Sequence, residues 1–188
     1  DTNVRGRSTE NILQGVGFAD ANNLMPTSAR SLFRAVPAIR EGLQFRKTPA
    51  AMVANKLIDD RLEVAREYAP QMRLVEGWFD PAPLHIKRKL GGGAFCAVVL
   101  ITARYRQSTA ADFWGGLAVN DMLPRNDPRS VLLTYLQSSS ERSSAPGHGA
   151  AIAAKAWNAF CAGRQIHLLR AAVTERIPLA GTPFTVVM

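Results

Sequence analysis

The sequence predicts an all-α domain of about six to seven short helices that closes with a short extended C-terminal tail. Apolar residues recur at helical spacing in several stretches, and capping residues or prolines stand at their starts. Eleven prolines favour several short helices over a long bundle. With 188 residues, 47% of them hydrophobic, the chain is long enough to bury a core without metals or disulfides.

The first third predicts two helices. Ser8 or Thr9 caps a short helix that ends near Gly15, and a turn-rich stretch follows it. Thr27 or Ser28 caps the next helix, in which Pro37 predicts either a kink or a division into two pieces. Its apolar stripe consists of Leu32, Val36, Ile39 and Leu43.

A third helix is predicted to begin at Thr48-Pro49, where a capping hydroxyl precedes a proline at the first helical position. The sequence predicts that Ala69-Pro70 ends it. Asp80-Pro81-Ala82-Pro83 is the clearest linker in the chain. We therefore expect an N-terminal helical unit at 1–80, a proline-rich, basic and glycine-rich linker at 81–93 and a C-terminal helical unit at 94–188, with one single domain as the alternative.

The C-terminal half predicts a central helix from Ala94 to about Arg106 that is apolar on all sides and therefore surrounded by others, with a strand as the alternative. Helices should follow from a capping box at 109–112 and from Asp127-Pro128. The most legible helix lies within Pro146 to Arg170: glycines open it and Gly163 closes it. Its predicted core side chains are Ile152, Ala156, Trp157 and Phe160.

The formal charge of +8 favours nucleic acid or an acidic partner, and eighteen of the 23 basic residues are Arg, whose planar fork suits phosphate and carboxylate. A solvated basic surface is the alternative. Lys87-Arg88-Lys89 stands before three glycines and a helix start, where exposed amides can hold an anion. The predicted nucleic-acid-binding residues are Arg5, Arg7, Arg30, Arg34, Lys87, Arg88 and Lys89.

Catalytic and metal-binding motifs are missing from the sequence. The three histidines lack metal-ligand spacing with either cysteine, and no phosphate-binding loop, hydrolase or dinucleotide fingerprint is present. We predict no cofactor and two buried free thiols at Cys96 and Cys161. An enzyme whose site is assembled from scattered polar residues stays open.

The polar start and the absence of a long apolar run predict no secretion signal and no membrane span. These observations predict a cytoplasmic location.

Three segments carry a resemblance. Asp1-Thr2, with Arg7-Ser8-Thr9, Leu13 and Gly17, forms the first. Phe113 to Leu136 forms the second, and Ala154 to Arg170, with its Lys-Ala-Trp-Asn-Ala run, the third. Together they resemble phage and actinobacterial ParB-like proteins of the ParB/sulfiredoxin superfamily, in a long form with a helical C-terminal half.

The Asp-Gly-Gln-His-Arg-type segment of that family is absent here, so no catalytic residue is carried over. The resemblance implies an accessory, non-catalytic helical domain in a DNA-linked context, in a bacterial host or a phage-infected cell. The alternative is an assembly domain without nucleic-acid binding, whose apolar helices contact a second copy in a homo-oligomer or a missing N-terminal ParB-like domain.

Overall fold

A computed structural model describes residues 9–45, 58–120, 122–138, 147–172 and 174–188. In this part of the chain, seven helices of at least seven residues surround one hydrophobic core, and a small two-stranded hairpin lies at the C-terminal end. The predicted all-α class is confirmed. The extended tail is also confirmed, with the addition that its strands pair.

The N-terminal helices are α1 (Thr9–Gly15), α2 (Phe18–Ala21) and α3 (Pro26–Arg40). α3 continues through Pro37 as one helix, so the alternative of two pieces is wrong. Leu43 follows α3 with a left-handed φ of 62° and is nevertheless fully buried. The predicted stripe faces the core at Leu32, Val36 and Ile39.

The long helix α4 (Ile58–Phe79) contradicts the predicted end at Ala69-Pro70. Pro70 lies on the exposed side of the helix, while Met72 and Val75 beyond it are buried. A proline removes one backbone donor, and tertiary burial of the following turns outweighs that loss here. The predicted start at Thr48-Pro49 lies outside the described residues.

Helix α5 (Leu84–Leu90) lies inside the stretch that the sequence assigned to a linker. Ile86 and Leu90, four residues apart, are fully buried, and this spacing places both on one helix face. The basic run is therefore helical and tied to the core. The described core residues form one continuous cluster from Leu13 to Met188, while the division into two units stays a prediction.

Helix α6 (Gly93–Tyr105) confirms the predicted central helix, and the strand alternative is wrong. Every residue from 96 to 103 is buried. The only polar side chain among them, Thr102, donates to the Val99 carbonyl at 2.9 Å and accepts from Trp114 Nε1 at 2.9 Å. The Thr102 hydroxyl and the Trp114 indole N–H therefore both have hydrogen-bond partners inside an apolar environment.

The next segment winds as α7 (Gln107–Ala110), a π-helical turn (Ala111–Gly115) and α8 (Gly116–Val119). The capping box predicted at 109–112 is wrong, because the helix already begins at Gln107, after Arg106 at the N-cap. Phe113, Trp114 and Leu117 are fully buried and form the core face of this segment.

Helix α9 (Pro128–Ser138) begins as the sequence predicts. The Asp127 carboxylate accepts the Arg129 backbone N–H at 2.9 Å and also binds the Arg129 guanidinium, at 2.9 and 2.8 Å. These bonds lower the pKa of Asp127 below its ordinary value. The cap is therefore a charged one.

Helix α10 (His148–Cys161) lies between two left-handed glycines, Gly147 and Gly163. The N–H of Gly163 bonds the Phe160 carbonyl at 3.0 Å, and that of Arg164 bonds the Ala159 carbonyl at 2.9 Å. This pair of bonds is a Schellman motif, which requires a positive φ at its glycine. The predicted closing role of Gly163 is confirmed.

The hairpin pairs β1 (Arg176–Pro178) with β2 (Thr185–Val187) in antiparallel register, with Ile177 opposite Val186. The other side of β2 bonds the chain after α3. Val187 N donates to the Leu43 carbonyl at 3.0 Å, and Phe45 N donates to the Val187 carbonyl at 2.8 Å. The tail thus joins the N-terminal third to the C-terminal end.

The underside of the hairpin is fastened to α10. Trp157 Nε1 donates to the Ala180 carbonyl at 2.9 Å. Asn158 accepts the Ala180 N–H at 2.9 Å and donates to the Pro178 carbonyl at 2.6 Å. Trp157 is fully buried, which confirms its predicted place in the core, and Asn158 bonds the backbone of the hairpin.

Among the described residues, no helix is both long and apolar enough to cross a bilayer.

Candidate functional site

The arginines predicted on α3 lie on one side of that helix, one turn apart. Arg34 is exposed and Arg30 is half-buried. Their spacing of four residues gives both side chains the same helix face. Arg40, farther along, lies 3.6 Å from Asp60 and so forms an ion pair with α4.

The basic run on α5 occupies the last turn of that helix. Cations there stabilise the negative end of the helix dipole, which is a structural use of Lys87, Arg88 and Lys89. Lys89 Nζ also donates to the Leu136 carbonyl at the end of α9. Arg88 is exposed and Lys87 half-buried, so these two have the freer access to an external ligand.

The structure brings these two basic stretches together through glycines. A methyl group at Gly91 would lie 2.7 Å from Ser31 Oγ, and one at Gly93 would lie 2.8 Å from the Arg34 carbonyl. The turn between α5 and α6 therefore touches the arginine-bearing part of α3. A side chain at Gly93 would force backbone to move, which explains the glycine at this position.

A second glycine-opened helix begins beside the first. A methyl group at Gly149, in the first turn of α10, would lie 2.7 Å from the ring of Phe95 in the first turn of α6. The two helix starts are neighbours, so the positive ends of two helix dipoles adjoin. We call the surface formed by the starts of α6 and α10 with the predicted cations the basic end. Those cations are Arg30, Arg34, Lys87, Arg88 and Lys89.

One polar pair near this surface was missed at the sequence level. His148 Nε2 and the Tyr135 hydroxyl are 2.8 Å apart, with both side chains half-buried. Desolvation by burial raises the pKa of Tyr135 above its ordinary value. The pair links the start of α10 to α9, and the only local signal was a histidine directly after the opening glycine.

Arg5 and Arg7, also predicted to contact nucleic acid, lie outside the described residues, so their assignment stays a prediction.

The cysteines differ from each other. Cys96 is buried as predicted, and this burial raises its pKa to about 12. Cys161 is exposed, so the prediction of two buried thiols is wrong for it. It lies in the last turn of α10, beyond the buried stripe. Desolvation nevertheless raises its pKa, so neither thiol is activated at neutral pH.

Metal-ligand clusters are also absent from the described part: no group of three His, Cys, Asp or Glu side chains could hold an ion there.

No family model, no curated protein and no solved structure matched this chain.

Proposed function

We propose that this chain is a non-catalytic, nucleic-acid-associated domain that contacts the phosphate backbone of DNA through the basic end. The supporting observation is the contact of Gly91 and Gly93 with Ser31 and Arg34. This contact joins two basic stretches that lie far apart in the sequence. The ParB-like resemblance points to the same DNA-linked context.

The chemistry of the surface suits phosphate in two ways. Arg34 and Arg88 offer exposed guanidinium groups, which bind phosphate oxygens through paired N–H donors. The first-turn amides of α6 and α10 add partial positive charge at the same surface. These interactions recognise backbone and not base sequence, so the proposal is for binding with little sequence preference.

Anisotropy of a short fluorescein-labelled DNA duplex tests the proposal. Phosphate contacts release counterions, so affinity should fall steeply between about 50 and about 200 mM salt. Absence of binding at the lower salt concentration would overturn the proposal.

A matched pair of double variants locates the surface. Arg34→Gln with Arg88→Gln neutralises two cations of the basic end. Arg66→Gln with Arg73→Gln removes the same charge from the exposed face of α4. The first pair should make the slope of log affinity against log salt shallower by about 1.8, and the control pair should leave it unchanged. Equal losses in both would show that net charge, and not this surface, binds the duplex.

A further inference from the structure

Two clefts flank a stretch of irregular chain after α10. Residues 164–170 separate a cleft of about 520 Å³ beside α9 from one of about 560 Å³ beside α10. Both are within the size range of ligand-binding clefts. Leu168 and Leu169 line both clefts, and we call residues 164–170 the Leu168 ridge.

The crest and base of the ridge differ in exposure. Leu168 leaves 61% of its surface in contact with solvent, whereas Leu169 retains only 6%. Ile166 N donates to the Asn126 carbonyl at 3.0 Å, and the Arg170 carbonyl accepts from Lys155 Nζ. The ridge is therefore anchored at both ends while it presents a leucine to solvent, and such preorganisation lowers the entropic cost of binding.

The clefts carry charge of one sign. Arg125 lines the α9 cleft, and Lys155, Arg164 and Arg170 line the α10 cleft. No carboxylate belongs to the described lining of either cleft. Lys155 is bound by Glu175 at 2.7 Å. Within the described chain, by contrast, Arg125, Arg164 and Arg170 form no ion pair.

The apolar part of the lining is aliphatic. Leu123, Val131, Leu133 and Leu169 line the α9 cleft, and the one aromatic side chain there, Tyr135, has its hydroxyl bonded to His148. Single-stranded nucleic acid is held by aromatic platforms on which bases stack. Aliphatic walls beside arginines fit a peptide that combines aliphatic and acidic side chains.

We propose that the Leu168 ridge docks an acidic segment of another protein that carries a bulky aliphatic side chain. The aliphatic side chain packs against Leu168 and Leu169, where water is displaced from apolar surface. The carboxylates of the docked segment pair with Arg125, Arg164 and Arg170. The cations of this surface are different residues from those of the basic end, so either proposal can fail alone.

The test is selection of random dodecapeptides displayed on phage against the immobilised chain, with counter-selection on a Leu168→Asp variant. Leu84→Asp is the matched control, because Leu84 is 63% exposed and lies on α5. We expect enriched sequences that join several Asp or Glu residues to Leu, Ile or Met. A labelled enriched peptide should bind Leu168→Asp at least about tenfold more weakly than the parent and the control.

Melting temperatures of both variants show that each is folded before binding is compared. Enrichment of neutral or basic peptides, or no enrichment at all, overturns the proposal. Equal binding to parent and Leu168→Asp overturns it too. A third outcome also overturns the proposal: an oligothymidylate displaces the peptide and itself binds Leu168→Asp more weakly than the parent. The ridge would then be a nucleic-acid surface.

Discussion

Helix α6 and the C-terminal hairpin are buried against the same core, but different interactions hold them. Every residue of α6 from 96 to 103 is buried. The Thr102 hydroxyl among them donates a hydrogen bond to the Val99 carbonyl. The hairpin is fastened by directional bonds from Trp157 and Asn158 to the Ala180 backbone and from Asn158 to Pro178. The attachment of α6 is spread over many apolar contacts, whereas the hydrogen bonds that join the hairpin to α10 come from two side chains.

The two kinds of attachment should respond differently to amino-acid substitution. Apolar burial is non-directional and scales with the area removed from water, so a central helix loses stability in proportion to the volume removed. A hydrogen bond to a specific backbone group is lost whole when its donor or acceptor is deleted, and the penalty is greatest where the remaining partner is buried. We therefore expect global destabilisation from changes in α6 and local opening from changes beneath the hairpin.

The largest effect should come from the core. Leu100 is fully buried, so Leu100→Ala removes side-chain volume and leaves a cavity beside α6. We expect the free energy of unfolding to fall by about 3–5 kcal/mol, measured by urea denaturation. Leu168→Ala, at an exposed leucine, should change it by less than about 0.5 kcal/mol. A loss below about 1 kcal/mol at Leu100 would contradict the view of α6 as the centre of the core.

The second effect tests the hairpin attachment. Asn158→Ala deletes both bonds to the hairpin and should cost about 2 kcal/mol. Hydrogen exchange should accelerate at the Ala180 amide and in β1, while the amides of α6 keep their protection. Gln165→Ala removes an exposed amide and serves as the control. If α6 and the hairpin accelerate together, the hairpin is not a separate unit.

A smaller effect contrasts two glycines that both have free space around them. Gly163 has a φ of +65° and Gly115 lies in helical conformation, and neither would bring a methyl group within 4 Å of another atom. Gly163→Ala should destabilise by about 1 kcal/mol through backbone strain. Gly115→Ala should stabilise by about 0.5 kcal/mol, because it restricts the unfolded chain. Thermal melts measure both; equal signs would refute the conformational explanation.

The smallest expected effect is on the free energy of unfolding at acid pH. Hydrogen bonds from Arg129 and from Lys155 lower the pKa of Asp127 and of Glu175 respectively. Both carboxylates therefore contribute stability above their unfolded pKa values of about 3.9 and 4.3, and this contribution disappears as pH falls through the lower folded values.

Asp127→Asn and Glu175→Gln should each reduce the loss of stability between neutral and acid pH, by about 1 kcal/mol for the capping Asp127 and about 0.5 for the more exposed pair. Denaturation at several pH values measures this. An acid dependence identical to that of the parent would show that neither carboxylate is linked to folding.

Sequence periodicity was enough to predict α6 and α10, because an uninterrupted apolar pattern and closing glycines act locally. It failed at Pro70, where burial of Met72 and Val75 keeps the helix intact. It also failed at α5, because two buried residues in a basic run carry too weak a pattern. The three-residue strands are too short for a period-two pattern to be recognised, and their attachment through Asn158 exists only in the folded chain.

The candidate site, like the fold, could be predicted from the sequence only in part. Charge alone singled out Arg34 and Arg88 as candidate contacts. The approach of the turn at Gly91 to Ser31 of α3 could not be predicted, because it is made by packing between distant segments. The contact of Phe95 with Gly149, and so the adjacency of two helix starts, has the same origin.

The bonds between Val187 and the chain at Leu43 and Phe45 have a kinetic consequence. Closing a contact between segments so distant in sequence costs loop entropy, which is recovered only after the intervening helices have condensed. Docking of β2 should therefore follow the transition state for folding. Interactions made that late govern the unfolding rate and not the folding rate. We therefore expect the docking of β2 to slow the unfolding of the folded protein.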